Sequence, residues 1–214
     1  MRRWIALTVW LLLAPLVAGA VSSFHGFDVS ELTIPRGELL SGGPPRDGIP
    51  VLTDPPFVAA SRASFLKDND RVLGVNLNGI AKAYPIRIMN WHEIVNDQFA
   101  GASVAVTYCP LCYTGMAFRA DMDGRRNIFG VSGLLYNSDV VLYDRTTESL
   151  WSQLLAQAIS GPKPGQQLEA VPVTNTTWTD WRARHPDSLV LSSSTGYTRD
   201  YGGTHTVSTL RAAI

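Results

Sequence analysis

Cys109 and Cys112 are the only cysteines in a chain of 214 residues, and they stand as Cys109-Pro110-Leu111-Cys112 between Thr107-Tyr108 and Tyr113-Thr114-Gly115. A Cys-x-x-Cys pair allows three chemistries: a redox dithiol, a pair of metal ligands, or a static disulfide. The disulfide would close a very short loop, and in the chain-entropy account short loops stabilise least. A thioredoxin-type site needs its first cysteine at a helix N-terminus, where the dipole lowers the thiol pKa. Here Met116–Ala120 reads as a strand that runs to the Asp123-Gly124 turn, so no long helix follows. Cys-Pro-x-Cys after a strand instead looks like the metal knuckle of rubredoxins and zinc ribbons. Those proteins carry two knuckles, so two further ligands must come from elsewhere.

The first candidate is His92, within Asn90-Trp91-His92-Glu93-Ile94-Val95-Asn96-Asp97. Asn90 and Glu93 have the spacing of a capping box, which predicts a helix over 90–99 with His92 in its first turn, on an apolar face with Ile88, Val95 and Phe99. The positive helix end favours the neutral imidazole that a metal requires. Met116 offers a soft thioether, and Glu93 or Asn90 a supporting hydrogen bond. Thiolates, imidazole and thioether suit copper or zinc better than magnesium or calcium. If the dithiol or the disulfide reading holds, no cofactor is expected. Tyr136, Asn137 and Asp139, between two strands, carry the polar groups a ligand pocket uses at its rim.

The elements that must position these residues are mostly strands. Arg71–Leu77 and Ile80–Tyr84 flank Asn78-Gly79, the strongest short hairpin signal, and Asp123-Gly124 closes a second. Strand patterns recur at 103–108, 116–120, 126–131, 140–144, 168–173 and 188–192. Helical patterns are confined to 58–67, 90–99 and 177–185. With no strand–helix–strand alternation, the fold class expected is α+β, mostly antiparallel β with a few short helices, in a single compact domain.

Residues 1–20 combine Met1-Arg2-Arg3, an apolar run over Trp4–Val17 and Ala18-Gly19-Ala20, the plan of a secretory signal peptide. The run is shorter than the roughly 20 apolar residues of a membrane span. Export to the periplasm or medium is therefore expected, with no stable membrane span after cleavage. Residues 21–57 read as an N-terminal extension with a Pro/Gly-rich wrapping loop, 58–201 as the main β-rich domain and 202–214 as a divergent or truncated tail. The chain has 18 basic and 18 acidic residues and no basic run beyond Arg125-Arg126, which excludes a nucleic-acid partner by charge. A small molecule or an envelope protein remains as partner.

Several runs together resemble the bacterial domain-of-unknown-function family 3179. They are Ala83 to Asp97, Val106 to Cys112, Phe129 to Ser138, Asp144-Arg145 and Leu150-Trp151-Ser152-Gln153, with Gly42 to Pro50 early and Thr195 to Tyr201 late. The resemblance spans about residues 30–201 and implies one domain, but brings no activity. Tyr113 departs from it, since relatives often have a small residue there, which bears on access to the sulfurs. After Tyr201 the likeness stops where relatives continue, so a truncated or frame-shifted end with an exposed strand edge is expected.

Three readings follow. Cys109, Cys112 and His92, with or without Met116, bind a soft metal for metal handling or redox chemistry. Alternatively the protein is a thiol-disulfide oxidoreductase in which Cys109 attacks and Cys112 resolves. In the third, a non-catalytic envelope domain keeps the pair as a structural disulfide. Nothing in the sequence decides whether it is an enzyme.

Overall fold

The structure is a computed structural model that describes residues 23–203; the expected signal peptide and most of the tail lie outside the described residues. The chain opens with the small hairpin β1 (Ser23–Phe24) and β2 (Phe27–Asp28), followed by β3 (Leu39–Ser41), β4 (Leu52–Thr53) and β5 (Phe57–Ala59). The hairpin β6 (Arg71–Leu77) and β7 (Ile80–Pro85) leads into helix α1 (Ile86–His92) and then β8 (Ile94–Phe99), β9 (Ala102–Cys109) and β10 (Thr114–Arg119). Next come β11 (Asp121–Met122), β12 (Arg125–Arg126), β13 (Phe129–Tyr136), β14 (Asp139–Asp144), β15 (Leu150–Ser152) and β16 (Gln157–Ser160). The chain ends in β17 (Ala170–Val171), β18 (Thr174–Thr177), helix α2 (Trp178–Arg184) and β19 (Leu189–Leu191).

Three five-stranded sheets result, ordered β17-β10-β9-β8-β4, β16-β15-β14-β13-β3 and β18-β6-β7-β19-β5. All pairings are antiparallel except β4 with β8 and β19 with β7. The sheet through β8, β9 and β10 is the middle layer, because alternate residues face opposite ways. On β9, Val104, Val106 and Tyr108 pack with Leu73, Val75 and Tyr84 of the β6–β7 sheet. Ala105 and Cys109 pack with Val140, Leu142 and Trp151 of the β14–β15 sheet. The outer face of that second sheet is covered by Phe27, Val29 and Ile34, and the outer face of the β6–β7 sheet by Trp178 and Trp181 of α2. A middle sheet wetted on neither face accounts for the near-continuous apolar reading of β9.

The turn chemistry read from the sequence holds. Asn78-Gly79 and Asp123-Gly124 each take positive φ at both positions, the two-residue turn that matches strand twist. Asn137-Ser138 closes β13 onto β14 in the same way, with φ of 51° and 63°. The α+β expectation reduces to a mainly antiparallel β fold with two seven-residue α-helices. The helix expected over 58–67 is strand at Phe57–Ala59 and a single 3-10 turn at Ala60–Arg62. The strand expected at 126–131 divides between the end of β12 at Arg126 and β13, which starts at Phe129 and runs on to Tyr136.

The helix expected over 90–99 is corrected in the same manner. The helix is Ile86–His92, Asn90 lies inside it, and Glu93 is its C-terminal cap with φ 55°. Ile94-Val95 then begin a strand, as β-branched pairs favour. The i, i+3, i+4 pattern that suggested a helix also satisfies a two-residue period: Val95 and Phe99 face the β6–β7 sheet, while Ile94 faces β14 and β15. Among the described residues no helix is long and apolar enough to cross a membrane.

Candidate metal centre

β9 and β10 are joined by Pro110-Leu111-Cys112-Tyr113, with Cys109 and Thr114 as the last cross-strand partners. Tyr113 takes φ 58° and points its ring to solvent, 71% exposed. That loop brings Cys112 back over Cys109. The tip of the β13–β14 hairpin, from the neighbouring sheet, meets the same spot. As a result Cys109 Sγ, Cys112 Sγ and a carboxylate oxygen of Asp139 lie within 4.8 Å of one another. Cys112 Sγ donates to Asp139 Oδ1 at 2.9 Å and lies 3.0 Å from Thr114 Oγ1, while Cys109 Sγ donates a long contact of 3.9 Å to the Ser138 carbonyl. Cys109 and Asp139 are buried and Cys112 is half-buried, so the site opens to solvent on the Cys112 side. Both cysteines are free thiols.

A buried glutamine holds the carboxylate from behind. With its amide oriented so that both ends are satisfied, Gln153 Nε2 donates to Asp139 Oδ1 at 2.8 Å and Oδ2 at 3.1 Å, and Oε1 accepts from Thr107 Oγ1 at 2.7 Å. Thr107 lies on β9, on the same side as Cys109, so this one amide ties the two sheets together directly beneath the site. Glu93 is a further acidic neighbour. Its carbonyl accepts from Tyr108 N at 2.7 Å, which places it beside the end of β9.

The electrostatics are those of a crowd of acids in a poorly hydrated place. Burial pushes the Cys109 thiol well up, with the Asp139 charge adding to it. Burial also raises the Asp139 carboxyl, although hydrogen bonds from Cys112 and Cys109 pull it back. Burial and the Asp139 charge push Glu93 up to about 8. No cationic side chain is among the main influences on any of the three. Cys109 and Asp139, each of which would lose a proton to hold a cation, thus lie together where burial favours their protonated forms.

His92 does not join this group. It is the last residue of α1, fully buried, and both ring nitrogens are occupied: Nδ1 lies 2.7 Å from the Pro50 carbonyl and Nε2 2.7 Å from the Tyr201 hydroxyl. A carbonyl only accepts, so Nδ1 carries the proton and Nε2 accepts from Tyr201. The ring is held neutral chiefly by burial, which lowers its pKa, with Arg199 lowering it further and the Pro50 bond opposing. The helix-start argument for neutrality is therefore replaced, since His92 sits at the other end. Thr195 Oγ1 lies 2.6 Å from Tyr201 Oη, so the late Thr195–Tyr201 run serves to seat this histidine.

The remaining expected residues divide. Met116 packs with Leu111 and Cys112 against the core that holds Cys109. Of the pocket-rim trio, Asp139 alone reaches the sulfurs. Tyr136 packs against the outer core with Phe27 and Tyr143, and exposed Asn137 supplies the turn. Asn90 lines a separate cleft with Asp70, Arg71 and Arg87. Gln153 ends the family-like run Leu150-Trp151-Ser152-Gln153, but nothing in its local sequence marks it as part of a site; its role needs the docking of two sheets.

A mainly antiparallel β chain with an acid-backed dithiol at the seam between two sheets is the class defined by these features. Residues 46–208 match the model of the family described as "Protein of unknown function (DUF3179)", and the chain belongs to that family. The match runs on past Tyr201, where the likeness read from the sequence had stopped. No curated protein and no solved structure matches the chain.

Proposed function

We propose that the protein binds a borderline-soft divalent metal through Cys109, Cys112 and Asp139. The carrying observation is the convergence of two sulfurs and a carboxylate oxygen within 4.8 Å. Bonds of about 2.0–2.3 Å to one tetrahedral ion set its ligands roughly 3.5 Å apart, so a small contraction closes the group on a metal. Asp139 in place of His92 gives a set of two sulfurs and one oxygen, and that hard third donor shifts the choice from copper toward zinc. Gln153 supports the reading as an outer partner that orients the ligating carboxylate. The apolar run near the start favours export, so we place this binding in the envelope or outside the cell, for metal handling or for chemistry at the ion.

Elemental analysis of the full chain, purified without chelator, with thiols counted on the same sample, tests this. Near-stoichiometric zinc is expected, lost in Cys109→Ser, weakened in Asp139→Asn and kept in His92→Ala. Metal-free protein with two titratable thiols overturns it.

One contact favours the dithiol alternative: the Cys112 thiol donates straight to a buried carboxylate at 2.9 Å. In that reading Cys112, half-exposed and next to its proton acceptor, attacks, and Cys109, buried with its pKa pushed up, resolves. The roles expected from the sequence are thereby exchanged.

A further inference from the structure

We infer that the Cys109–Cys112–Asp139 centre is an open one, whose fourth position takes a neutral donor from outside the chain: water at rest, displaced by an imidazole-type nitrogen. This rests on the metal reading above and concerns what the metal does next. Closed structural zinc sites are completed by four protein ligands, whereas sites that act on something keep three and leave a position free. Among the His, Cys, Asp and Glu side chains of the described residues the group of ligating atoms stops at three, and Met116 packs against the core that holds Cys109. His92 is committed to Pro50 and Tyr201, and Glu93 lies outside the 4.8 Å group.

The free position faces outward. Cys109 and Asp139 are buried and backed by Gln153, while Cys112 is half-buried and its neighbour Tyr113 is exposed. Leu154, which follows Gln153 and whose backbone bonds to Asp139, is 50% exposed. The exposed side chains next in sequence to Cys112 and Gln153 are thus an aromatic ring and an aliphatic chain, a pairing that suits a flat, partly apolar heterocycle.

Charge selects the kind of donor. Two thiolates and a carboxylate bring three negative charges to a divalent ion, which leaves the centre at minus one. A fourth anion has to approach an already negative centre, whereas imidazole, thioether or water does not. With a partly hydrated effective dielectric, one like charge a few ångströms away costs at least about tenfold in affinity. The chemistry recognised is thus a neutral nitrogen heterocycle, such as a histidine side chain presented by a partner or a small imidazole compound.

The test uses the full chain loaded anaerobically with one equivalent of Co2+, whose visible spectrum reports both thiolate ligation and coordination changes. Imidazole and sodium azide are titrated separately into the loaded protein. The expected result is saturable change with imidazole at least about tenfold tighter than with azide. A spectrum with two-thiolate charge-transfer bands that neither probe alters means a closed centre and overturns the inference, while the metal reading stands. Azide binding as tightly as imidazole overturns the charge argument and with it the stated donor class. Failure of Co2+ to bind at all, with both thiols still titratable, overturns the metal reading itself.

Discussion

Lys82 and Asp97 form an ion pair between the middle sheet and the β6–β7 sheet, with side chains only 9% and 5% exposed. The ammonium donates to both carboxylate oxygens at 2.8 Å and to the Gln98 carbonyl at 2.9 Å, and it lies over the rings of Phe57 and Phe99 at 4.3 and 4.7 Å. Tyr84 Oη donates to the same carboxylate at 2.6 Å and Gln98 N at 2.7 Å. Lys82→Met keeps most of the stem packing against the two rings but leaves the carboxylate buried with its charge unbalanced. Breaking a buried pair in this way costs about 3–5 kcal/mol. The two surviving donors to Asp97 place the cost at the low end, about 3 kcal/mol. For a chain of this length that lowers the melting temperature by about 6–12 °C. Urea unfolding followed by tryptophan fluorescence gives the free energy. Lys82→Met combined with Asp97→Asn removes both charges, keeps an acceptor for Tyr84 and Gln98, and is expected to recover most of the loss, because the unbalanced buried charge is gone. A single-variant cost under about 1 kcal/mol, the range of exposed pairs, or a double variant as poor as the sum of the two singles, refutes the reasoning.

The same physics gives three more expectations. Glu93 keeps its proton up to about pH 8 in the folded state against an ordinary 4.5, so the metal-free protein loses stability as pH rises through that window and levels off above it. Glu93→Gln is expected to flatten this slope in urea melts between pH 5 and 8.5, and an unchanged slope contradicts the placement of Glu93. Gln153→Leu retains the bulk but leaves Asp139 unoriented; competition with a chromophoric chelator should show metal affinity about 10–100-fold weaker, with two thiols still counted. Tyr201→Phe strips His92 Nε2 of its donor inside the core, which should cost about 1–3 kcal/mol in chemical unfolding without altering metal stoichiometry. Loss of metal in that variant would return His92 to the site.

What the sequence made legible was local. Asn78-Gly79 and Asp123-Gly124 turned as their types require, and Arg71–Leu77 and the helix capped by Thr177 stand where their patterns put them. The cysteine pair was legible because its spacing alone limits the chemistry. The misreading at Asn90–Phe99 came from a segment whose apolar residues satisfy both periods, and a left-handed Glu93 between helix and strand has no strong sequence signal. Asp139 stands out for its polarity, but its alignment with sulfurs 27 and 30 residues earlier is a property of how two sheets dock. His92 shows the converse: a histidine beside family motifs looks like a ligand until its two nitrogens are traced to Pro50 and Tyr201.

The seam between the sheets gives the centre a history as well as a place. Its two sulfurs are close neighbours along the chain and travel together at every stage of folding. Its carboxylate arrives only when the β13–β14 hairpin settles against β9 and β10. Under the metal binding proposed above, an unfolded chain would already grip an ion with two donors, and the finished fold would grip it with three. Only the difference between those grips goes into holding the layers together, since whatever the loose chain binds is not gained on folding. Such an ion would act as a latch thrown late, and its removal would loosen the join of two sheets before it disturbed either sheet alone.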